Sequence, residues 1–295
     1  YEGEYVQDDR YPLYIQTVHV DFTLKPDHIP CIQMKGNLSF LPTEYVRDSK
    51  GEQTLVLTSV DLALLKDHYD INSIRYGKGW KFKASRTLFE KFIASANNEK
   101  IEAARTGNAG KRYMAKLKMN SPYGKMATHP IKRCRRPILG EDGIVKYEML
   151  APEHTDGMYL PVGAFITAWA RNKTIRAAQS VKHRFVYADT DSLHLIGTDY
   201  PKELDIDEYR LGAWKVESEF WRARFLRPKT YIEDDVKTGK LTVHCAGMPE
   251  RCHEHVTWEN FKPGAKYSGK LYSKTVKGGI ILYEGDFVIR EELCI

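Results

Sequence analysis

The sequence predicts an α+β protein with antiparallel sheets and with helices that are segregated along the chain. Near the start, apolar residues alternate with polar ones, as in a half-buried strand. Two long helical patterns occupy the middle, and the second half returns to short alternating segments separated by turn residues. Runs of strands and runs of helices, without a regular strand–helix repeat, are typical of α+β rather than α/β proteins.

The first part of the chain is predicted to be mostly β-structure. Residues 18–24 alternate between apolar and polar side chains, which predicts a strand. Thr58 lies three residues before Asp61 and can cap a short helix. Strand-like residues return near residues 73–76.

Two helices are predicted next, in a helical hairpin. Thr87 and Glu90 have the spacing of a capping box for the first helix. A polar bend at residues 96–98 is expected to end it, and residues 100–127 to form the second helix. Residues 107–110, which contain two glycines, predict a further break.

The second half is predicted to contain hairpins around one long helix. Residues 137–145 form a β-hairpin pattern whose Asp-Gly turn favours a positive φ. A helix is expected from Pro161 to Gln179. Strands are predicted at 214–220 and 225–233, and a last hairpin at 280–289. The expected core face of the long helix consists of Phe165, Ala168, Trp169 and Ile175.

Composition narrows the function classes only modestly. The 295 residues carry 45 Lys and Arg against 39 Asp and Glu, a formal charge of +6 that suits phosphate backbones. No apolar run is long enough to span a membrane and no signal peptide pattern is present, so we expect a cytoplasmic protein without a membrane partner. Five irregularly spaced cysteines indicate a reduced compartment rather than a disulfide framework.

Two aspartates separated by one residue form the most informative motif. Asp189 and Asp191 lie between the β-prone runs 183–187 and 192–196, which places both carboxylates at the tip of a predicted hairpin. Oxygen ligands of this kind suit Mg²⁺, and Mn²⁺ can substitute, in a site that leaves positions open for phosphate. The alternative is a polar turn with two solvated aspartates.

A second motif closes the second predicted helix. Helical spacing places Arg112, Lys116, Asn120 and Tyr123 on one face, and Gly124 is expected to cap the helix. The two cations could neutralise a triphosphate, while the Tyr ring could stack on a base. The alternative is an ordinary solvated helix surface.

Together, these motifs and a third resemble the family B DNA polymerases, specifically the protein-primed group of tailed bacteriophages. The run from Tyr187 to Ser192 is similar to the metal motif of the family's palm, and the run from Lys116 to Gly124 is similar to its fingers motif. The run 226–231 is similar to the Lys-x-Tyr motif that contacts the primer. Further agreement lies at 163–171, 211–215 and 245–248. The resemblance covers nearly the whole chain.

The resemblance implies a family B polymerase palm with an antiparallel sheet, two-helix fingers, β-rich insertions and a small β-rich thumb. It divides the chain into an insertion at 1–85 of the type that binds a priming protein, fingers at 86–126, a second insertion at 127–157 for strand displacement and processivity, a palm at 158–240 and a thumb at 241–295. The implied host is a bacterial cell carrying a phage or prophage.

The resemblance also implies roles for single residues in DNA polymerisation. Asp191 and Asp189 are expected to be the catalytic metal ligands, and the fingers face is expected to bind the deoxynucleoside triphosphate. Primer-template DNA is the expected partner, together with a possible terminal priming protein. The residues expected to contact primer DNA are Lys229, Tyr231, Arg227 and Tyr187.

Two departures from the family pattern qualify these roles. Pro122 occupies a position where the family usually has an aliphatic residue, and its ring could bend the helix or reposition Tyr123. The family's first palm motif, which supplies a further metal-bridging aspartate, has no match here. The resemblance places residue 1 just after that motif, so the N-terminal exonuclease and palm portion is also unmatched.

Two alternatives of other classes stay open. The isolated chain could be a catalytically incompetent DNA-binding fragment, or a subunit of a split polymerase. It could also be a zinc-stabilised interaction module, although no zinc is expected because the short spacing of a zinc knuckle is missing. The residues that such a zinc site could recruit are His244, Cys245, Cys252, His253 and His255.

Overall fold

The structure, a computed structural model, describes residues 1–34, 44–156 and 159–290. The helices and strands of these residues are, in chain order, β1 (Leu13–Leu24), β2 (Gln33–Met34), β3 (Glu44–Tyr45), β4 (Gln53–Thr58), α1 (Ser59–His68), β5 (Tyr69–Phe82), α2 (Glu90–Arg105), α3 (Ala109–Met126), β6 (Ile131–Lys132), β7 (Arg135–Leu139), β8 (Val145–Met149), β9 (Glu153–His154), α4 (Leu160–Ser180), β10 (Phe185–Asp189), β11 (Ser192–Leu195), β12 (Phe220–Arg227), β13 (Thr230–Asp235), β14 (Leu241–Cys245), α5 (Glu250–His253), β15 (Lys266–Val276) and β16 (Gly279–Val288). The strand ladders among them are antiparallel, which confirms the predicted α+β class.

The chain divides into two compact units. The first contains residues 1–130 and 156–214, and the second contains residues 131–155 and 215–295. The predicted boundary between 157 and 158 lies outside the described residues, and the predicted domain limits stay predictions. Among the described residues, none of the helices has the length and hydrophobicity of a transmembrane span.

The first unit is built on a three-stranded sheet in the order β4-β1-β5. Val18, Val20 and Phe22 of β1 are fully buried, as their alternation predicts. They pack against α1, where the hydroxyl of Thr58 accepts a hydrogen bond of 3.1 Å from the backbone N–H of Asp61 and caps the helix.

The two helices α2 and α3 form the predicted helical hairpin, but their ends differ from the sequence prediction. The first helix continues through residues 96–98 to Arg105, because this segment is packed rather than exposed: Ala96 is buried, and Asn97 is half-buried with its Oδ1 shielded from solvent. Its first turn has no side-chain cap, so the predicted capping box at Thr87 is wrong. The break at residues 107–110 is confirmed in part, since α3 begins at Ala109.

The interface between α2 and α3 is formed by small residues. Ala96, Ala103 and Ala115 are almost completely buried, and an ion pair of 2.7 Å joins Lys118 to Glu99 across the two helices. Because the interface residues are small, the two helices can approach closely while burying few side chains. Most side chains of both helices therefore lie at the surface.

The long helix α4 runs from Leu160 to Ser180, as the sequence predicts. Phe165, Ala168 and Ile175 are buried, but Trp169 is 57% exposed and is not a core residue. The reason is geometric: Trp169 follows Ala168 directly, and successive helical residues point about 100° apart.

The second unit contains the sheet β12-β13-β14, the hairpin β15–β16 and the hairpin β7–β8. Gly143, with φ 72°, lies in the predicted Asp-Gly turn of β7–β8. The last hairpin differs from the prediction, because residues 280–288 are one strand paired with β15. Its turn lies at Lys277 and Gly278, not at residues 284–286.

The strands predicted between residues 214 and 233 differ from those in the sheet β12-β13-β14. No strand covers residues 214–219, because β12 begins at Phe220. Residues 225–233 belong to two strands, β12 and β13, which a two-residue turn separates. The second unit has its own core around Ile232, Phe261 and Ile289, each fully buried.

Candidate active site

Asp189 and Asp191 lie at a hairpin tip, as predicted. Asp189 is the last residue of β10 and pairs with Ser192, the first residue of β11, so the turn consists of Thr190 and Asp191 alone. Asp189 is half-buried and Asp191 is exposed. Both carboxylates are therefore held within three residues at one end of a two-stranded ribbon.

The backbone of this turn is strained. Thr190 has φ 55°, a left-handed conformation that β-branched residues rarely adopt. The N–H of Asp191 donates to the carbonyl of Asp189 at 2.6 Å, and the Thr190 hydroxyl donates to the Asp189 carboxylate at 3.0 Å. Conformations of this kind cost about 1–3 kcal/mol and persist where surrounding contacts enforce them, often at functional sites.

The contact that holds the turn comes from α4. The hydroxyl of Thr174, which is 8% exposed, lies 3.1 Å from the Thr190 carbonyl oxygen and donates a hydrogen bond to it. The same hydroxyl lies 3.1 Å from the Ala170 carbonyl oxygen of its own helix. Thr174 therefore connects the rigid helix to the residue between the two aspartates, and sequence patterns gave no signal for this role.

The other end of α4 packs against the end of α3. A Cβ atom on Gly163 would lie 2.8 Å from the Cβ of Ala127, so only glycine permits this approach. Gly163 and Thr174 are 11 residues apart, which corresponds to about 16 Å along a helix with a rise of about 1.5 Å per residue. The helix α4 thus fixes the spacing between the base of α3 and the aspartate turn.

The donor set of the turn fits a hard divalent cation only in part. Carboxylate oxygens are the ligands that Mg²⁺ and Mn²⁺ prefer. In the described part of the chain, however, no three His, Cys, Asp or Glu side chains are grouped so that they could hold a metal ion. Asp189 and Asp191 could therefore hold such an ion together with ligands that these residues do not supply, as an ion shared with substrate phosphates requires.

The helix α3 presents the predicted fingers face to solvent. Arg112, Lys116 and Asn120 are exposed, and Tyr123 is 42% exposed. The buried residue of this helix, Ala115, faces the α2 interface. Two cations, an amide and an aromatic ring are thus accessible along about three turns of one helix.

Pro122 lies inside α3 without ending it. Proline has no N–H to donate to the carbonyl of Lys118, four residues earlier. The hydroxyl of Ser121 donates to that carbonyl instead, at 2.8 Å. The helix then continues to Met126 and is capped at Ala127, so the predicted cap at Gly124 is wrong.

The Lys-x-Tyr motif forms a second tight turn, in the second unit. Pro228 and Lys229 connect β12 to β13, and Lys229 has φ 58°. The Lys229 carbonyl accepts a hydrogen bond of 2.9 Å from the N–H of Ala246, and Arg227 Nε donates to the Thr230 hydroxyl at 3.2 Å. Lys229 is therefore a turn residue, and the predicted strand face shared by Lys229 and Tyr231 is wrong.

Tyr231 lies on β13 between two ring-bearing neighbours. It is paired across the sheet with Phe225 on one side and His244 on the other. The Tyr231 and His244 ring centroids are 4.4 Å apart with an interplanar angle of 16°, and those of Tyr231 and Phe225 are 5.1 Å apart. In the first unit, Tyr187 is half-buried and faces His194 across its ribbon at 5.4 Å.

The opposite face of this sheet contains a hydrogen-bonded carboxylate. The carboxylate of Asp234 accepts a hydrogen bond of 3.0 Å from Trp258 Nε1 and another from Arg222 Nε. Burial alone would raise the pKa of Asp234, but these two bonds and the Arg222 charge outweigh it and lower the pKa below its ordinary value. A charged, bonded carboxylate thus joins β12 and β13 at the end of the ladder away from the turn.

The predicted site residues divide between the two units. The aspartate turn, Tyr187 and the α3 face belong to the first unit. Arg227, Lys229 and Tyr231 belong to the second. Each group has a defined local geometry, and the role of each residue stays a prediction.

Comparisons with known proteins agree with the fold and with the motifs. The family described as DNA polymerase type B, organellar and viral, matches residues 1–208. The chain is 41% identical over 312 residues to the DNA polymerase of Bacillus phage phi29, and 39% identical over 310 residues to that of Bacillus phage B103; each match covers 98% of this chain and 53% of the relative. The DNA polymerase of Streptococcus phage Cp-1 is 37% identical over 295 residues, covering 97% of this chain and 51% of the relative.

Solved structures give the same result. The phi29 DNA polymerase complexed with primer-template DNA and incoming nucleotide substrates superposes with a TM-score of 0.90 at 40% identity, over 98% of this chain and 53% of that one. Its orthorhombic crystal form superposes with a TM-score of 0.87. The chain thus spans about half the length of the curated relatives it matches. On the strength of both the sequence and the fold, the chain belongs to the type B DNA polymerases of the organellar and viral group.

Proposed function

We propose that this chain carries the nucleotidyl-transfer site of a protein-primed DNA polymerase. The reaction joins a deoxynucleoside triphosphate to a primer 3′-hydroxyl, or to a hydroxyl of a priming protein, under the direction of a template. The observation that carries the proposal is the strained turn of Asp189, Thr190 and Asp191, because it holds two carboxylates at one hairpin tip in a chain of the type B DNA polymerase family. We place this reaction in the cytoplasm of a bacterial host, since the relatives are phage proteins.

Asp189 and Asp191 are the residues of this chain that would hold Mg²⁺ or Mn²⁺. Two such ions, when bound, would stabilise the attacking and the leaving oxygens. The chain's own contribution is to keep both carboxylates at fixed positions, through the bond from Thr174 to the Thr190 carbonyl. The resemblance implies one further aspartate, on the palm motif that has no match in this sequence.

The α3 face is proposed to bind the incoming nucleotide. Arg112 and Lys116 would neutralise the triphosphate, while Asn120 and Tyr123 would line the new base pair. Support comes from the exposure of all four side chains and from the packing of α3 against α4, which also carries Thr174. Nucleotide and metal ligands are thus connected through one helix.

The primer is proposed to contact the second turn. Lys229, Arg227 and Tyr231 would bind the primer end, and Tyr187 would contribute from the aspartate ribbon. A non-glycine residue at φ 58° in the turn supports this role for Lys229, because such strain is concentrated at functional sites.

The second insertion is proposed to help enclose the DNA together with the thumb. The carbonyl of Gly143, in the turn of β7–β8, accepts a hydrogen bond of 2.8 Å from the N–H of Gly278, in the turn of β15–β16. Ile144 and Lys277 form a bridge at the same place. Two hairpin tips that meet in this way support the proposed role in processivity and strand displacement.

A second candidate function is DNA binding without catalysis, as an incompetent fragment or as one subunit of a split polymerase. It is favoured by the presence of only two carboxylates at the turn and by the lack of a grouped three-ligand site within the described ranges. In that case phosphate contacts persist while nucleotide transfer is absent or impaired in the isolated chain.

The two candidates are separated by the effect of a nucleotide on DNA release. Dissociation of a labelled primer-template from the chain would be measured with Mg²⁺, with and without the next correct deoxynucleotide. The polymerase proposal predicts slower dissociation only with the correct nucleotide, and loss of this effect in Asp191→Asn. Equal dissociation rates with correct and incorrect nucleotides would refute it in favour of plain DNA binding.

A further inference from the structure

A row of three rings crosses the sheet β12-β13-β14 beside the Lys-x-Tyr turn. Phe225, Tyr231 and His244 are direct cross-strand neighbours, and the imidazole of His244 stacks on Tyr231 at 4.4 Å. The neighbouring residue Ile232 is fully buried and points to the opposite face, where the core of the second unit lies. The ring row therefore lies on the face of the sheet away from that core.

A buried carboxylate lies beside His244. Its Nε2 lies 3.8 Å from Oε1 of Glu233, whose side chain is 3% exposed, whereas the His244 side chain is 42% exposed. Glu233 and Tyr231 are two residues apart on β13 and so point to the same face. The hydroxyl of Ser218 donates to the same Glu233 oxygen at 3.0 Å.

These contacts leave few orientations for the Tyr231 ring. A half-exposed tyrosine can occupy several rotamers, and one flat neighbour on each side restricts them. An imidazole that was free to turn would give little restriction. The Glu233 carboxylate, which lies 3.8 Å from Nε2 and accepts the Ser218 hydrogen bond, limits the space in which the imidazole can turn.

We propose that His244 is a positioning residue for primer recognition: by stacking on Tyr231 it fixes that ring at the primer 3′ end, and the buried Glu233 carboxylate lies beside its imidazole. This inference rests on the primer-contact role proposed above for Tyr231 and extends it to side chains outside the motif. His244 itself does not contact the primer in this account. Its effect therefore depends on Tyr231.

The test measures how well the chain distinguishes a recessed primer end from a blunt end. Fluorescence anisotropy would give the Kd for a primer-template and for a blunt duplex of the same length. Aromatic pairs of this kind support a change of about 2- to 10-fold when the stack is lost. We expect His244→Ala to weaken primer-template binding by this factor and to leave blunt-duplex binding unchanged, while the lost stack lowers Tm by no more than a few degrees.

Matched variants separate positioning from a general effect on the fold. His244→Phe retains a flat ring and should restore the primer-template Kd to within about twofold, in keeping with a role for the stack itself. In a Tyr231→Ala background, His244→Ala should have no further effect, because coupled residues give non-additive changes. An equal loss of affinity for both DNA ends in His244→Ala, or additive losses in the double variant, would overturn the inference.

The outcome also separates this inference from the proposed function. If Tyr231→Ala weakens primer-template binding and His244→Ala does not, the inference fails and the role of Tyr231 survives. If Tyr231→Ala leaves end discrimination unchanged, the proposed role of Tyr231 fails and the inference fails with it.

Discussion

The aspartate turn and the Lys-x-Tyr turn are two solutions to the same backbone problem. Each is a two-residue turn between antiparallel strands, and each has a non-glycine residue at positive φ, 55° at Thr190 and 58° at Lys229. Glycine would be the expected residue at such positions. In both turns a carbonyl of the strained residue is held by a donor outside the ribbon, Thr174 in one case and Ala246 in the other.

The two turns differ in which of their residues is proposed to bind a ligand. Thr190 is strained but is not a proposed ligand, and its conformation orients the carboxylates on either side. Lys229 is both the strained residue and the proposed primer contact. Glycine substitution should therefore affect the orientation of the carboxylates in the first turn and should delete the functional group in the second.

The largest effect is expected for the acid of the first turn. Asp191→Asn keeps the shape of the side chain but removes the charge that a divalent cation needs. Primer extension, measured in a chain to which a segment with the family's first palm motif has been joined, should fall on the order of 10³-fold. Because Asp191 is exposed, the substitution should change the free energy of unfolding of the chain by less than about 0.5 kcal/mol. Unchanged extension would remove Asp191 from the site.

The second-largest effect is expected for the α3 face, which is proposed to bind the nucleotide. The helix α4 connects α3 to the first turn. Lys116→Ala should weaken the affinity for the deoxynucleotide by about 10- to 100-fold, because a hydrogen bond to a charged group contributes about 1.5–3 kcal/mol. Primer-template affinity should stay within about twofold. Lys111→Ala is the matched control, since residue 111 is also exposed on α3 but lies about 140° around the helix from residue 116. Equal losses of nucleotide and DNA affinity would contradict the assignment.

The third effect separates charge from strain in the second turn. Lys229→Ala and Lys229→Gly should both weaken primer-template binding, by roughly 2- to 5-fold for one exposed phosphate contact. In both variants, the slope of log Kd against log salt concentration should decrease by the amount that corresponds to about one phosphate contact. If Lys229→Gly bound primer as tightly as the parent chain, the turn would matter for its shape alone.

The smallest effect tests the strain itself. Alanine usually stabilises a chain relative to glycine, but at positive φ the order reverses by about 1 kcal/mol. Chemical denaturation should therefore find Thr190→Gly more stable than Thr190→Ala, although both lose the hydroxyl bond to Asp189. The same order is expected at position 229. Alanine variants that are as stable as the glycine variants would show that the turns are not strained.

Much of this architecture follows from local sequence signals. The alternation of residues 18–24, the Thr58 cap, the Asp-Gly turn at Gly143 and the aspartate hairpin were all predictable, because each depends on residues close together in the chain. The motifs also identify the family correctly. The motifs allowed roles to be proposed for single residues. They did not predict the backbone conformation or the contacts of those residues.

The sequence predictions fail where contacts between residues distant in the chain determine the local structure. Buried Ala96 keeps α2 continuous across a polar segment that resembles a bend, and Ser121 replaces the N–H that Pro122 lacks. Strand register places the last turn at Lys277 and Gly278 instead of at a Glu-Gly-Asp segment. Thr174 and His244 act across 16 and 13 residues of sequence, on Thr190 and Tyr231, so no short pattern marks them.

The proposed role of Asp189 and Asp191 as metal ligands is tested by a Mn²⁺ titration of the chain with primer-template DNA and the next correct deoxynucleotide, followed by electron paramagnetic resonance of the free ion. Asp189→Asn and Asp191→Asn are compared with Asp9→Asn, which removes an exposed carboxylate elsewhere in the first unit. We predict that both turn variants lose nucleotide-dependent Mn²⁺ binding, while Asp9→Asn retains it. Equal Mn²⁺ binding by all three variants and the parent chain would show that the two turn aspartates do not hold the ion.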